Sequence, residues 1–267
     1  MNQERNIWLR RFRAMPGTPA ADEPATDARP GADADCELIC FPHAGGSAGY
    51  WRGLALELAP AVEVSAVQYP GRLDRLAEAP FEDLHALADT IVEELGPPGD
   101  RPRALLGHSM GASLAYEVAV RLARLPGGEP RLLVLSGRRA PATARERGPE
   151  PVMNDDEIVA RLRRLGGTEA ELLDDPELLE LILPALRGDY RALAAYEDTP
   201  GRLLSCPVVA LVGDRDPQAS AEDVQGWRDH TSGEFRTHVF EGGHFFLNDH
   251  GKEAADLIRG LLPVHAG

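Results

Sequence analysis

Two Gly-x-Ser-x-Gly segments carry the chemistry this chain could perform: GGSAG at 45–49 and GHSMG at 107–111. A serine hydroxyl at its free pKa is a weak nucleophile. It becomes useful when a sharp turn presents it and an imidazole takes its proton. Such a turn needs a strand before it, a helix after it and glycines that let the backbone bend tightly. RALLGHSMGASLAYEVAVRLARL, starting at Arg103, meets each demand, and Ala112 and Ala115 let the helix pack close. GGSAG also follows a strand, but an earlier one, and a Gly-rich loop there suits a different role, donating backbone N–H groups to an oxyanion. If Ser47 were the nucleophile, no earlier strand would remain to supply that loop. Ser109 is therefore predicted as the nucleophile.

Serine needs a base, and the base needs a carboxylate to orient it. When the serine sits on a strand–helix elbow, the chain order is serine, acid, histidine. His244, in FEGGHFFL, follows the last apolar run with two glycines before it, which puts an imidazole on a loop at the carboxyl edge of the sheet. His230, His238, His250 and His265 lie within or after helix- or strand-like stretches and read as surface histidines. For the acid, LVGDRDP offers Asp214 and Asp216. Asp214 directly follows the strand end and suits a turn or cap, whereas Asp216 has room to reach the imidazole, so Asp216 is preferred. The earlier run 131–136 ends in SGRRAP, without an acid.

The elements that must position these residues are legible as apolar runs at 36–41, 62–68, 103–107, 131–136, 206–212 and 235–240. Between them lie helix-period stretches at 50–59, 81–95, 110–125, 219–230 and 248–262. Continuous apolar strands alternating with helices predict an α/β fold, a mostly parallel sheet with helices on both faces. The alternation breaks at 138–205, which holds no strand-like run. There Asn154 and Glu157 form a capping-box pattern, Pro176 suits a first helical turn, and Leu179, Ile182, Leu183, Leu186, Tyr190 and Leu193 form a helical stripe that Pro184 should kink or divide. The predicted organisation is an N-terminal segment and flexible linker at 1–35, a core at 36–137 and 206–267, and a helical insertion at 138–205.

Composition removes several classes. The 267 residues carry a net charge of −15, which disfavours a nucleic-acid partner. No apolar run is long enough for a membrane helix, and MNQERNIWLRRFRAMPG lacks the apolar core of a signal peptide, so a cytoplasmic location is expected. Three cysteines, Cys36, Cys40 and Cys206, argue against a disulfide framework, and Cys36 and Cys40 read as packed side chains rather than a metal pair.

The chain resembles the type II thioesterases associated with polyketide synthases and nonribosomal peptide synthetases, of the α/β-hydrolase superfamily. The resemblance rests on WLRRF at 8–12, FPHAGGSAGYW at 41–51, VQYPGR at 67–72, GHSMGA at 107–112, GDRDP at 213–217 and EGGHFFL at 241–247. It departs from the family at 16–35, where a Pro-, Ala- and Asp-rich linker separates WLRRF from the first core strand. The resemblance implies an α/β-hydrolase fold and removal of stalled or aberrant acyl groups from the phosphopantetheine arm of acyl or peptidyl carrier proteins. It implies Ser109 as nucleophile, His244 as base, Asp216 as acid, and the backbone N–H groups of Ala44 and Met110 as the oxyanion hole. The insertion would be a lid. No metal or cofactor is expected beyond the arm carried by the substrate, and a monomer is expected.

Carrier proteins are acidic around the arm-bearing serine, so a chain of net charge −15 must dock them through a local basic patch. Arg72 and Arg75 on one loop, and Arg138 and Arg139 on another, are the candidates, with Arg145 and Arg147 behind them; the rival reading makes them solvated surface arginines or internal ion-pair partners. Two rival functions remain: an acyl-CoA, ester or lactone hydrolase using the same triad, and a carrier-binding module without catalysis.

Overall fold

The computed structural model describes residues 7–12, 34–97, 99–141, 143, 150–167, 173–198 and 203–262. Its apolar runs form one sheet of seven strands: β1 Leu9–Arg11, β2 Cys36–Phe41, β3 Val62–Val67, β4 Arg103–His108, β5 Leu132–Ser136, β6 Val208–Gly213 and β7 Phe235–Phe240. Strands β3, β5 and β6 are buried at every position, as expected when helices cover both faces. The strand order is β1-β3-β2-β4-β5-β6-β7, parallel throughout except for β1 against β3.

That order places the site. From β2 the chain crosses outward to β3, then returns to the other side of β2 as β4. The connections after β2 and β4 therefore diverge and leave a crevice beyond their carboxyl ends, where open α/β sheets hold ligands. Phe41 of β2 pairs with Gly107 of β4, and His108 with Ser136 of β5, so the loops carrying Ala44, Ser109 and Gly137 start at one level.

Helices α1 (Arg52–Leu58), α2 (Leu84–Leu95), α3 (Met110–Leu122), α4 (Asp155–Leu165), α5 (Pro176–Ala194) and α6 (Gly251–Leu261) complete the frame. Residues of α2, α3, α4 and α5 contribute to one apolar core, and residues of α1 and α6 to another. Helix α3 is buried from Met110 to Val120, as its alanines anticipate. WLRRF docks: Leu9–Arg11 pairs with β3, and the Arg75 guanidinium lies 4.0 Å from the Trp8 ring centroid.

Among the described residues, the connection from β5 to β6 holds α4 and α5 and no strand that joins the sheet. The capping box forms as read, with Glu157 N donating to Asn154 Oδ1 at 3.0 Å and Asn154 N to Glu157 Oε2 at 2.8 Å. Two readings need correction. Pro184 does not divide its helix: α5 runs unbroken from Pro176 to Ala194 with Pro184 exposed, because packed residues on both sides hold the axis where one N–H is missing. The stretch 219–230 gives a 3-10 helix, Asp223–His230, whose buried Val224, Trp227 and His230 recur every three residues, the 3-10 period. No described helix is long and apolar enough to cross a membrane.

Candidate active site

Ser109 is the single residue between β4 and α3, and it adopts φ 56°, ψ −118°. A non-glycine residue at positive φ is strained and persists only where its surroundings fix it. Two neighbouring glycines permit the turn. A Cβ at Gly111 would stand 2.5 Å from the Pro42 carbonyl oxygen, and one at Gly107 would run into the backbone at Gly111 and Ala112. The Ser109 N–H donates to Ser136 O at 2.8 Å and anchors the elbow to β5. Ser47 has extended backbone angles and precedes a short 3-10 helix, Ala48–Trp51, so it occupies no such elbow.

His244 is 1% exposed, and its Nδ1 lies 3.0 and 2.9 Å from Asp216 Oδ1 and Oδ2. Its Cε1 faces Gly137, where an added Cβ would approach to 3.3 Å, and its ring sits 4.9 Å from that of His108, the residue before Ser109. With Nδ1 occupied by the carboxylate, Nε2 is the nitrogen left for a hydroxyl proton. Gln218 N steadies Asp216 Oδ1 at 2.8 Å. Asp214 turns the loop instead, accepting the Gly242 N–H at 2.7 Å.

The glycine-rich loop after β2 spends its amides selectively. Gly45 N donates to Asp189 Oδ2 at 2.7 Å, Gly46 N to His43 O at 2.9 Å, and Ala48 N to Gln68 Oε1 at 3.0 Å. The Ala44 amide is not among these contacts. Met110 opens α3, so its N–H lies beyond the helix's own hydrogen-bond ladder, at the positive end of the dipole. Both residues flank the crevice between β2 and β4.

Sequence reading missed the ring cluster beneath the imidazole. His43 packs edge-on against Tyr50 and Phe245, and His108 stacks with Tyr50 at 5.8 Å while its Nδ1 meets Ser136 Oγ at 3.0 Å. Burial, reinforced by His244, pushes His43 down to about 3 and His108 well below the usual histidine range. Both rings stay neutral and do not compete for the serine proton. Their places inside FPHAGG and GHSMG were the available signal. His230, read as a surface histidine, is buried, with Nδ1 3.0 Å from Tyr116 Oη.

The four candidate docking arginines all take part in ion pairs. Arg72 is 6% exposed and paired with Asp189, and Arg75 is 4% exposed and bonded to Gln68 O and Glu78. Arg138 and Arg139 both pair with Glu150, Arg138 at 3.0 Å while it also donates to Ser113 Oγ. Arg72 and Arg138 face buried carboxylates, Arg75 pairs with the exposed Glu78, and Arg139, half-buried, shares Glu150 with Arg138. Arg145, Arg147, His265 and most of the 16–35 linker lie outside the described residues.

Beside the loop, Gly45, Ser47, Arg72, Leu73, Leu76, Leu178, Leu181 and Ile182 line a cleft of about 260 Å³ under α5. Among the described residues no cluster of His, Cys, Asp and Glu could hold a metal.

A parallel sheet carrying a strained serine elbow, with a histidine–carboxylate pair on the loops after its last strands, defines an α/β-hydrolase fold. The thioesterase domain model matches residues 36–262, and the chain belongs to that family. It is 50% identical over 220 residues to a probable cadicidin biosynthesis thioesterase of Streptomyces griseus, covering 82% of this chain and 60% of that relative. It is 42% identical to the thioesterase PikA5 of Streptomyces venezuelae, over 100% of this chain and 89% of that one. Among solved structures, the type II thioesterase BorB from the borrelidin biosynthetic cluster aligns with a TM-score of 0.81 at 39% identity, covering 97% of this chain and 99% of that one.

Proposed function

We propose that this thioesterase hydrolyses acyl thioesters on the phosphopantetheine arm of acyl or peptidyl carrier proteins, clearing stalled or aberrant acyl groups in polyketide or nonribosomal peptide biosynthesis. One observation carries the catalytic part: the ring of His108, the residue before the serine of the elbow, lies 4.9 Å from that of a buried histidine whose Nδ1 is taken by Asp216.

In the mechanism, Ser109 Oγ attacks the thioester carbonyl and gives its proton to His244 Nε2. Asp216 holds the imidazole in that tautomer and stabilises the imidazolium. The amides of Ala44 and Met110 receive the oxyanion, a charge that develops only in the transition state. The C–S bond breaks, and the thiolate leaves with the proton from His244. Water then attacks the acyl-serine, passes a proton to His244, and the carboxylic acid departs as Ser109 regains its hydrogen. The chemistry uses side chains and backbone amides of this chain alone. The acyl group would lie in the apolar cleft under α5.

With Arg72, Arg75 and Arg138 buried, Leu73, Leu76 and Leu181 remain 67%, 43% and 47% exposed around the cleft. Shape and apolar contact, rather than steering, would then set carrier affinity. The test is intact-mass measurement of deacylation across acyl-loaded carrier proteins, compared with acyl-CoA and simple esters. Faster turnover on carriers than on the matching acyl-CoA is expected. Preference for acyl-CoA or esters would overturn the carrier assignment and keep the triad.

A further inference from the structure

The insertion reaches the glycine-rich loop through one buried carboxylate. Asp189, in the C-terminal half of α5, is 4% exposed. Its Oδ2 accepts the Gly45 N–H at 2.7 Å and also pairs with the Arg72 guanidinium. Arg72 donates to Pro70 O at 3.1 Å, and its own carbonyl receives Gln68 Nε2 at 3.2 Å. Gln68 Oε1 in turn receives the Ala48 N–H at 3.0 Å. The loop is therefore pinned at Gly45 and at Ala48, and both pins converge on Arg72. One turn before Asp189, Leu186 sits on the loop, 2.5 Å from where a Cβ at Gly45 would stand.

A buried carboxylate–guanidinium pair is a weak source of stability, because desolvation consumes most of the attraction. Its position is more informative. Fixing the peptide unit that follows Ala44 leaves only that residue's φ and ψ between the anchor and the Ala44 N–H. We propose that Asp189 is a positioning residue: through Gly45 it aims the Ala44 N–H into the oxyanion hole, so that the hole is complete only while α5 is seated on the loop. This rests on the reading of Ala44 as an oxyanion donor. Displacing α5 withdraws the anchor, so the covered site is the competent one and an opened site hydrolyses slowly.

The experiment compares wild type with Asp189→Leu, Asp189→Asn and the double variant Arg72→Leu/Asp189→Leu. The double variant leaves no buried charge unpaired, which guards the fold, and Asn keeps an acceptor for the Gly45 N–H. One readout is kcat and KM for a small acyl-pantetheine thioester. The other is the rate at which a serine-directed phosphonate labels Ser109, followed by intact mass. Labelling places a phosphonyl oxygen in the hole and involves no thioester. The expected result is a ~10- to 100-fold fall in kcat for Asp189→Leu and the double variant, part of what deleting an oxyanion donor costs. KM should stay within about threefold, labelling should slow in parallel, and Asn should recover most of both. Wild-type kcat and labelling in a folded double variant would overturn the proposal. So would a raised KM at unchanged kcat, which would make Asp189 a substrate contact. If wild type labels but does not cleave thioesters, the functional reading falls and the labelling rates alone decide the role of Asp189.

Discussion

Asp216 presents both carboxylate oxygens to His244 Nδ1, at 3.0 and 2.9 Å, while Asp214 on the same loop is spent on the Gly242 N–H. The two aspartates, alike in sequence, thus do different physical work. Asp216→Asn would leave the loop shape and turn the imidazole to the wrong tautomer, at a cost of roughly 10³–10⁴ in kcat, as for the triad aspartate in the general template. Asp214→Asn should keep kcat within about tenfold and lower the melting temperature slightly, since it weakens a loop hydrogen bond. Steady-state kinetics of both variants checks this, and a larger kcat loss at Asp214 would move the acid role there.

Much of this site was legible because its parts are local. The elbow is five consecutive residues, and Gly107 and Gly111 declare a close backbone approach without knowledge of what approaches. The acid was narrowed only to a loop, because choosing Asp216 over Asp214 depends on where Gly242 and His244 return in space. The arginines stayed open between docking and internal pairing for the same reason: Arg72 and Arg138 have partners, Asp189 and Glu150, 117 and 12 residues away. Long-range pairs leave no periodic trace. The neutral histidines beneath His244 were hidden likewise, since burial is a property of the assembled loops.

Arg138 gives a direct test of the internal pairing. It is buried between Ser113 and Glu150, and its carbonyl receives Trp227 Nε1 at 2.7 Å. Arg138→Glu would bury two carboxylates together and should destabilise the fold by about 3–5 kcal/mol, the usual cost of breaking a buried pair. Chemical denaturation measures the loss. Hydrolysis of carrier-bound and small pantetheine thioesters should decline together. A stable variant with only a raised KM for carrier protein would restore the docking role.

Acid sensitivity follows from His43. Its folded pKa is pushed down to about 3 by burial, below the unfolded value near 6.5. The unfolded state therefore binds the extra proton first, and stability falls as pH drops from about 6.5 towards 3. Between pH 8 and pH 5 this ring should account for about 2 kcal/mol of lost stability. Unfolding free energies of wild type and His43→Gln at the two pH values provide the comparison. The pH difference should be smaller by that amount in the variant, and an equal difference in both would show that His43 titrates normally in the fold.

In the proposed mechanism Ser109, served by His244 and Asp216, carries the acyl group during thioester cleavage. The most direct measurement is intact mass of the protein, with peptide mapping, after brief mixing with an acyl-loaded carrier protein, for wild type, Ser109→Ala, Ser47→Ala and His244→Ala. The expected result is a transient acyl adduct on Ser109 in wild type and Ser47→Ala, no adduct in Ser109→Ala, and almost none in His244→Ala. An adduct at Ser47, or wild-type turnover by Ser109→Ala, would contradict it.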